Sequence, residues 1–115
     1  MPNLAECLED LIGLRLPFTR LVEELGEFPL ESDRPLVVLD PIQVSYVLWR
    51  FMSGELNDVE VRRWAHLVMD RREEIAFVPE AELESLVSSL ADGLVIGEAL
   101  DDHLARYLIE ELRRM

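Results

Sequence analysis

Apolar residues recur every three or four positions along most of the chain, a spacing that predicts helices with one buried face each. The first helix is expected to begin at Pro2 or Asn3 and to stop before Gly13. The second is short, starts at Phe18 and stops at Gly26, a typical residue just past a helix end. The apolar face of the first helix comprises Leu4, Cys7, Leu8, Leu11 and Ile12.

The third predicted helix, residues 41–53, is the most apolar segment of the chain. Asp40 before Pro41 is a strong helix start, because aspartate caps free N–H groups and proline at the first position has none to lose. Gly54 marks its end. Between residues 42 and 52 the polar residues are Gln43, Ser45 and Arg50. A helix with so little polar surface is expected in the middle of a bundle.

Three further helices complete the prediction. The fourth is capped by Asn57 or Asp58 and closed by Arg71 and Arg72, the fifth follows Pro79 and is ended by Gly93, and the last starts at about Glu98. The apolar residues at 36–39 indicate coil with a possible short strand, and residues 74–79 indicate a connector. We therefore expect one all-α domain over residues 1–115, a compact irregular bundle of about five to six helices around residues 41–53.

Composition excludes several function classes. The chain has 115 residues and a formal net charge of −13, with arginine as its only strongly basic residue type. Without lysine it cannot form a Walker-type phosphate loop or a pyridoxal Schiff base. The opening MPNLAECLED lacks the pattern of a signal peptide, and no apolar run approaches the roughly 20 residues that span a bilayer. We expect a cytoplasmic protein that is not embedded in a membrane.

The stretch RRWAHLVMDRREE, residues 62–74, combines arginines with a tryptophan and could in principle bind nucleic acid. Helical spacing, however, places Trp64 on the core stripe, where its ring is not available to stack on a base. Arg62 and Arg63 each have an acid within reach, Asp58 and Glu60 respectively. We therefore interpret the stretch as a core-building helix and predict no nucleic-acid partner.

No group of residues predicts catalysis, a metal or a cofactor. His66 and Asp70 are spaced to share a metal ion, but a third ligand is lacking unless the helix extends to Glu73, and a plain side-chain pair is the simpler interpretation. The adjacent residues 101–103, DDH, point in different directions on a helix. Cys7 lies on a buried stripe without a basic neighbour to activate it. An enzyme would need a deep pocket that gathers carboxylates such as Glu23, Glu24 or Asp70.

Charge is the remaining functional signal. Most of the negative charge lies in the first and last thirds of the chain, and if the terminal helices packed side by side they would form one acidic face that attracts a basic protein. The same charge could serve solubility alone. A homodimer through apolar residues such as Phe28, Leu36 and Val37 is the alternative. The residues predicted to bind a basic partner are Glu6, Glu9, Asp10, Glu23, Glu24, Glu27, Asp101, Asp102, Glu110 and Glu111.

The segment WRFMSGELNDVEVRRWAHLVMDRREEIAF resembles a signature of small, mostly uncharacterised bacterial all-α proteins. Its elements are a helix that ends in an aromatic residue and Ser-Gly-Glu-Leu, and a second helix with Trp64 at its centre. The tail GLVIGEALDDHLARYLIEEL is also similar to such proteins, although the Ser or Thr cap expected before the last helix is absent. The helix, turn and helix also resemble immunity proteins of the colicin D type. That resemblance implies a small acidic inhibitor of a basic, tRNA-cleaving toxin, possessing no catalytic residues of its own.

Overall fold

The computed structural model describes residues 3–15, 17–28, 34–92 and 100–115. These residues form a compact, mostly helical globule with six α-helices, which confirms the predicted all-α bundle. The elements in chain order are α1 (Leu4–Gly13), α2 (Phe18–Gly26), β1 (Val37–Leu39), α3 (Pro41–Met52), α4 (Asp58–Asp70), a 3₁₀ turn (Arg72–Glu74), β2 (Ile75–Phe77), α5 (Glu80–Ala91) and α6 (Asp102–Arg113).

Side-chain caps explain where four of the helices start. Asn3, Asp40, Asn57 and Asp101 each accept a hydrogen bond from the backbone N–H three residues later. In α3 and α4 the residue at that later position returns a bond to the cap, which gives complete capping boxes. These caps confirm the predicted starts of α1, α3 and α4. α6 starts later than predicted, and both the predicted start at Glu98 and the predicted stop at Gly93 lie outside the described residues.

Two predicted helix ends are wrong in detail. Gly13 belongs to α1, and Leu14 takes the left-handed conformation after it, with φ of 48°. Leu14 is buried, so its packing offsets the cost of that backbone shape. Gly26 is the last residue of α2, and the next residue, Glu27, stays in the right-handed helical region. Gly54 does adopt a positive φ, 87°, as expected of a glycine that terminates a helix.

A two-stranded parallel sheet joins distant parts of the chain. β1 pairs with β2 in the register Val37 to Ile75 and Leu39 to Phe77. The possible strand at 36–39 is therefore confirmed, whereas the prediction that residues 74–79 form only a connector is wrong for Ile75–Phe77, which form β2. Pairing also buries Val37. Because Phe28 packs against the core as well, the apolar residues suggested for a homodimer do not form an exposed patch, and Leu36 alone among them is exposed.

The core lies between the helices and one face of the sheet. Trp64 on α4 is fully buried, and its indole N–H donates to the carbonyl of Leu11 on α1 at 2.8 Å. α6 packs against α3 through a stripe of Ala105, Ile109 and Leu112, with Leu104 and Leu108 only half-buried. α3 contributes Val44, Val47 and Leu48 to the core. Its opposite face is open, so the expectation that a helix this apolar is enclosed by the bundle is only partly met.

Candidate interaction surfaces

In the arginine-rich stretch of residues 62–74, the tryptophan belongs to the core. Trp64 is buried, so its ring cannot stack on a base. The predicted ion pairs do not form: the Glu60 carboxylate accepts from the Asn57 backbone N–H, and Arg63 lies over the ring of Phe18 at 5.2 Å. This cation–π contact ties α4 to α2. The stretch therefore builds the core, as the periodicity predicted, but Arg63 contacts an aromatic ring and not the predicted acid.

The six predicted acids of the first two helices lie on packed neighbours, and four of them act on the Cys7 thiol: Glu6, Asp10, Glu24 and Glu27. α1 packs against α2, which brings Asp10 and Glu24 close to the same buried side chain, Cys7. Two arginines offset some of this charge, through Arg15 to Asp10 at 3.9 Å and Arg20 to Glu24 at 3.4 Å. We call this region the α1–α2 acidic surface; its residues are Glu6, Glu9, Asp10, Glu23, Glu24 and Glu27.

The thiol of Cys7 reports on this local field. Burial raises the pKa of Cys7, and the nearby charges raise it further, Glu24 first and then Asp10, Glu6 and Glu27. The Sγ atom lies 3.9 Å from a carboxylate oxygen of Glu24. The thiol therefore stays protonated at neutral pH, which agrees with its predicted role as a small core residue and opposes a nucleophilic one. Carboxylates from both helices thus act at one point.

The predicted acids of α6 have local partners instead. Asp101 is the N-cap, where its carboxylate accepts from the Leu104 N–H at 2.8 Å. Glu110 and Glu111 bond to the arginines three residues later, at 3.1 and 3.2 Å. Asp102 sits in the first turn, where a negative charge suits the helix dipole. The positions of these four acids are explained by α6 itself, without a binding protein.

α1 and α6 do not pack side by side, so the condition for one shared acidic face is not met. α1 packs against α2, α4, β1 and α3, whereas the main neighbour of α6 is α3. An exposed stripe of α3 lies between the two terminal helices. This α3 stripe consists of Ile42, Tyr46 and Trp49, which are 79, 60 and 51% exposed.

Two grooves border the α3 stripe. Toward α1, Ile42 and Tyr46 line a groove of about 530 Å³ together with Glu9 and Arg50. Toward α6, the same two residues and Trp49 line a smaller groove of about 290 Å³ with Ile109 and Leu112. Aromatic side chains on an open surface beside concave, partly apolar walls are typical of protein-binding sites. Sequence analysis missed this feature because both faces of α3 are apolar and only packing distinguishes them.

A third cavity, of about 500 Å³, lies between the end of α2 and the end of α4. Arg71, predicted to close the last turn of α4, is instead buried and donates to the carbonyls of Leu25 and Phe28 beyond its own helix. It also donates to one carboxylate oxygen of the buried Glu74 at 3.0 Å, and the other oxygen has no hydrogen-bond partner among the described residues. Arg72 does bond to the last turn, at Met69. The buried pair joins α2 to the segment that leads into β2.

Three acids line the same cavity: Asp70, Glu73 and Glu74. Asp70 lines it, but Glu23 and Glu24 do not. His66 and Asp70 are both exposed and form no ion pair. Among the described residues, no cluster of three or more histidine, cysteine or acidic side chains could hold a metal ion. None of the helices in the described ranges combines the length and apolar character needed to cross a membrane.

Comparison with known proteins yields no relative: no family model, no curated protein and no solved structure matches the chain.

Proposed function

We propose that this protein is a non-enzymatic interaction module that binds a basic protein through the α1–α2 acidic surface, as an immunity or antitoxin protein of the cytoplasm would. The observation that carries the proposal is the convergence of carboxylates from two packed helices around Cys7. A negative surface of this kind raises the rate of encounter with a positive partner in a salt-dependent way.

The position of the acids on α2 supports a role beyond solubility. Glu23 and Glu24 lie in the last turns of α2 and Glu27 follows its end. The last turn itself holds no basic residue, and the nearby cations are Arg20, which pairs with Glu24, and Arg71, which donates to the Leu25 carbonyl. Negative charge at a helix C-terminus opposes the dipole and costs stability. Acids that serve solubility alone could stand at positions without this cost, so their placement favours binding.

Removal of three acidic charges from the α1–α2 acidic surface, and of three from α5 as a control, tests the proposal. A triple variant Glu6→Gln, Glu23→Gln and Glu27→Gln removes exposed acids of the α1–α2 acidic surface that form no ion pair with described residues. The control Glu80→Gln, Glu82→Gln and Glu84→Gln removes the same charge from α5. Both variants and the parent are used for affinity capture from a lysate of the source organism at low salt.

We expect the parent and the α5 control to retain one basic protein in stoichiometric amount. The α1–α2 variant should associate with that purified partner about tenfold more slowly at low salt, with a weaker dependence of the rate on salt. Recovery of no basic partner, or equal association rates for both variants, would contradict the proposal. A third variant, Asp102→Asn, Glu110→Gln and Glu111→Gln, decides whether the acids of α6 contribute.

A further inference from the structure

We infer that the α3 stripe is the apolar half of the same recognition surface and that it receives an amphipathic, basic helix of the partner. This inference rests on the proposed function for the charge of the partner, while the stripe itself rests on burial and groove geometry. Ile42, Tyr46 and Trp49 follow one another at i, i+4 and i+7, which places them in one row along α3.

The row is unusual because the rest of α3 is packed. The opposite face is fully buried through Val44, Val47 and Leu48. Tyrosine and tryptophan are the residues most enriched among those that dominate protein interfaces. A helix that lies along the stripe could place apolar residues at i, i+3 or i+4 and i+7 into the grooves on either side.

Charge around the grooves selects the sign of the partner. Three arginines line them, and each has an acidic partner: Arg15 pairs with Asp10 at 3.9 Å, Arg50 with Glu55 at 2.7 Å, and Arg113 with Glu110 at 3.1 Å. Arg50 also donates to the carbonyls of Gly13 and Leu14, so it is committed to closing α1. Glu9 lines the larger groove, is exposed and has no ion-pair partner among the described residues. A basic side chain of the partner helix, placed beside its apolar residues, would lie near Glu9 and, beyond it, the α1–α2 acidic surface.

A second copy of this chain fits the stripe less well. Each copy carries a formal charge of −13, and the acid-bearing helices α1 and α6 border the stripe on both sides. Two such faces would bring like charges together, which disfavours association. A basic helix meets the opposite condition and satisfies both the apolar stripe and the charge beside it.

The two tryptophans make the stripe directly observable. Trp64 is buried and hydrogen-bonded, whereas Trp49 is about half exposed. A partner that covers the stripe therefore changes the fluorescence of Trp49 and leaves that of Trp64 unchanged. The probe is a synthetic 18-residue helical peptide with leucines at i, i+3, i+4 and i+7 and arginines at the polar positions. A matched peptide keeps the leucines and replaces every arginine with glutamate.

We expect the basic peptide to shift tryptophan emission to shorter wavelength and to protect Trp49 from acrylamide, and the acidic peptide to do neither. Trp49→Phe should remove the shift. Ile42→Ser and Tyr46→Ser should each raise the dissociation constant by about tenfold, since the side chains are exposed and their loss leaves the core intact. Val59→Ser on α4, another exposed apolar residue, is the matched control and should bind normally.

Four results would overturn the inference. In the first, calorimetry detects binding of the basic peptide, but the emission of Trp49 does not change and Ile42→Ser binds as tightly as the parent. The peptide would then bind elsewhere, and the proposed function would still stand. Equal binding of both peptides would show that the stripe does not select a basic helix over an acidic one. A tryptophan emission that shifts as the protein concentration rises, with no peptide present, would show that a second copy of the chain covers the stripe. If neither peptide binds while the captured partner still depends on the α1–α2 acidic surface, the stripe inference fails alone.

Discussion

At the scale of single residues, the most consequential side chain is Arg71, which follows the last residue of α4. It is buried, it bonds to Glu74, and it donates to backbone carbonyls at and beyond the end of α2. Burying a guanidinium is costly unless its donors find acceptors, and this site supplies three acceptors from two parts of the chain. Arg71 is therefore a structural link between helices that are far apart in sequence.

Replacement of Arg71 by methionine should lower the free energy of unfolding by about 3–5 kcal/mol, because it leaves the Glu74 carboxylate buried without a counter-charge. Glu74→Gln should cost less, because Arg71 keeps the two carbonyls and an amide oxygen as acceptors. Urea unfolding followed by circular dichroism measures both. The exposed neighbour variant Arg72→Met is the control and should stay within about 0.5 kcal/mol of the parent. Equal losses for Arg71→Met and Arg72→Met would contradict the structural role of Arg71.

At the scale of elements, the N-terminal caps decide where several helices begin, and one of them reassigns a predicted binding residue. Asp101 accepts from the Leu104 N–H, so its carboxylate stabilises the start of α6. This cap is the feature that the resemblance to bacterial all-α proteins expected as serine or threonine. Aspartate fills the same role because its oxygen reaches the same backbone donor.

Asp101→Ala should therefore destabilise the protein by about 1 kcal/mol, whereas Asp101→Asn should retain the cap and most of the stability. Thermal unfolding of the two variants beside the parent measures the difference. Partner association should be nearly the same for Asp101→Asn and the parent, since only a rim charge is lost. A large loss of association in Asp101→Asn, with stability intact, would return Asp101 to the binding surface.

The α3 helix shows a limit of sequence patterns at this scale. Hydrophobic periodicity identifies a helix face when the opposite face is polar. Residues 42–52 are apolar on both faces, so the pattern could not indicate that Val47 is buried and Tyr46 exposed. The capping box at Asp40 was readable because it depends on residues three positions apart, whereas the choice of face depends on α1, α4 and α6.

At the scale of the whole molecule, a net charge of −13 raises the question of whether overall repulsion or local environment controls stability. If overall repulsion dominated, removal of any two acids would stabilise the free protein by a similar amount. The helix dipole predicts a different result, because acids near the end of α2 are unfavourable and acids in the first turn of α5 are favourable.

We expect Glu23→Gln with Glu27→Gln to raise the free energy of unfolding by about 0.5–1 kcal/mol, and Glu80→Gln with Glu82→Gln to lower it by a similar amount. Thermal unfolding at low salt gives the two values, and added salt should reduce both because it screens the charges. A rise of equal size in both double variants would show that overall repulsion dominates. Opposite signs would support the view that the α2 acids are retained at a cost to stability.

The acids illustrate how far the candidate site could be predicted. Composition identified the sign of the charge, and position along the chain identified the terminal helices that carry it. Whether an acid is available to a partner depends on its neighbours in space: Glu23 is exposed on α2, whereas Glu110 is bonded to Arg113. The arrangement of α1 and α6 on either side of α3 follows from packing, which no local pattern encodes.

The sequence by itself determined the helices, most of their starts, the burial of Trp64 and Cys7, and the excess of negative charge, because each depends on residue types at short, fixed spacings. Tertiary structure alone decided the pairing of β1 with β2, the burial of Arg71, the gathering of acids around Cys7, and the exposure of the α3 stripe. These features join residues from separate elements. Their energies arise from contacts that exist only once the helices have packed.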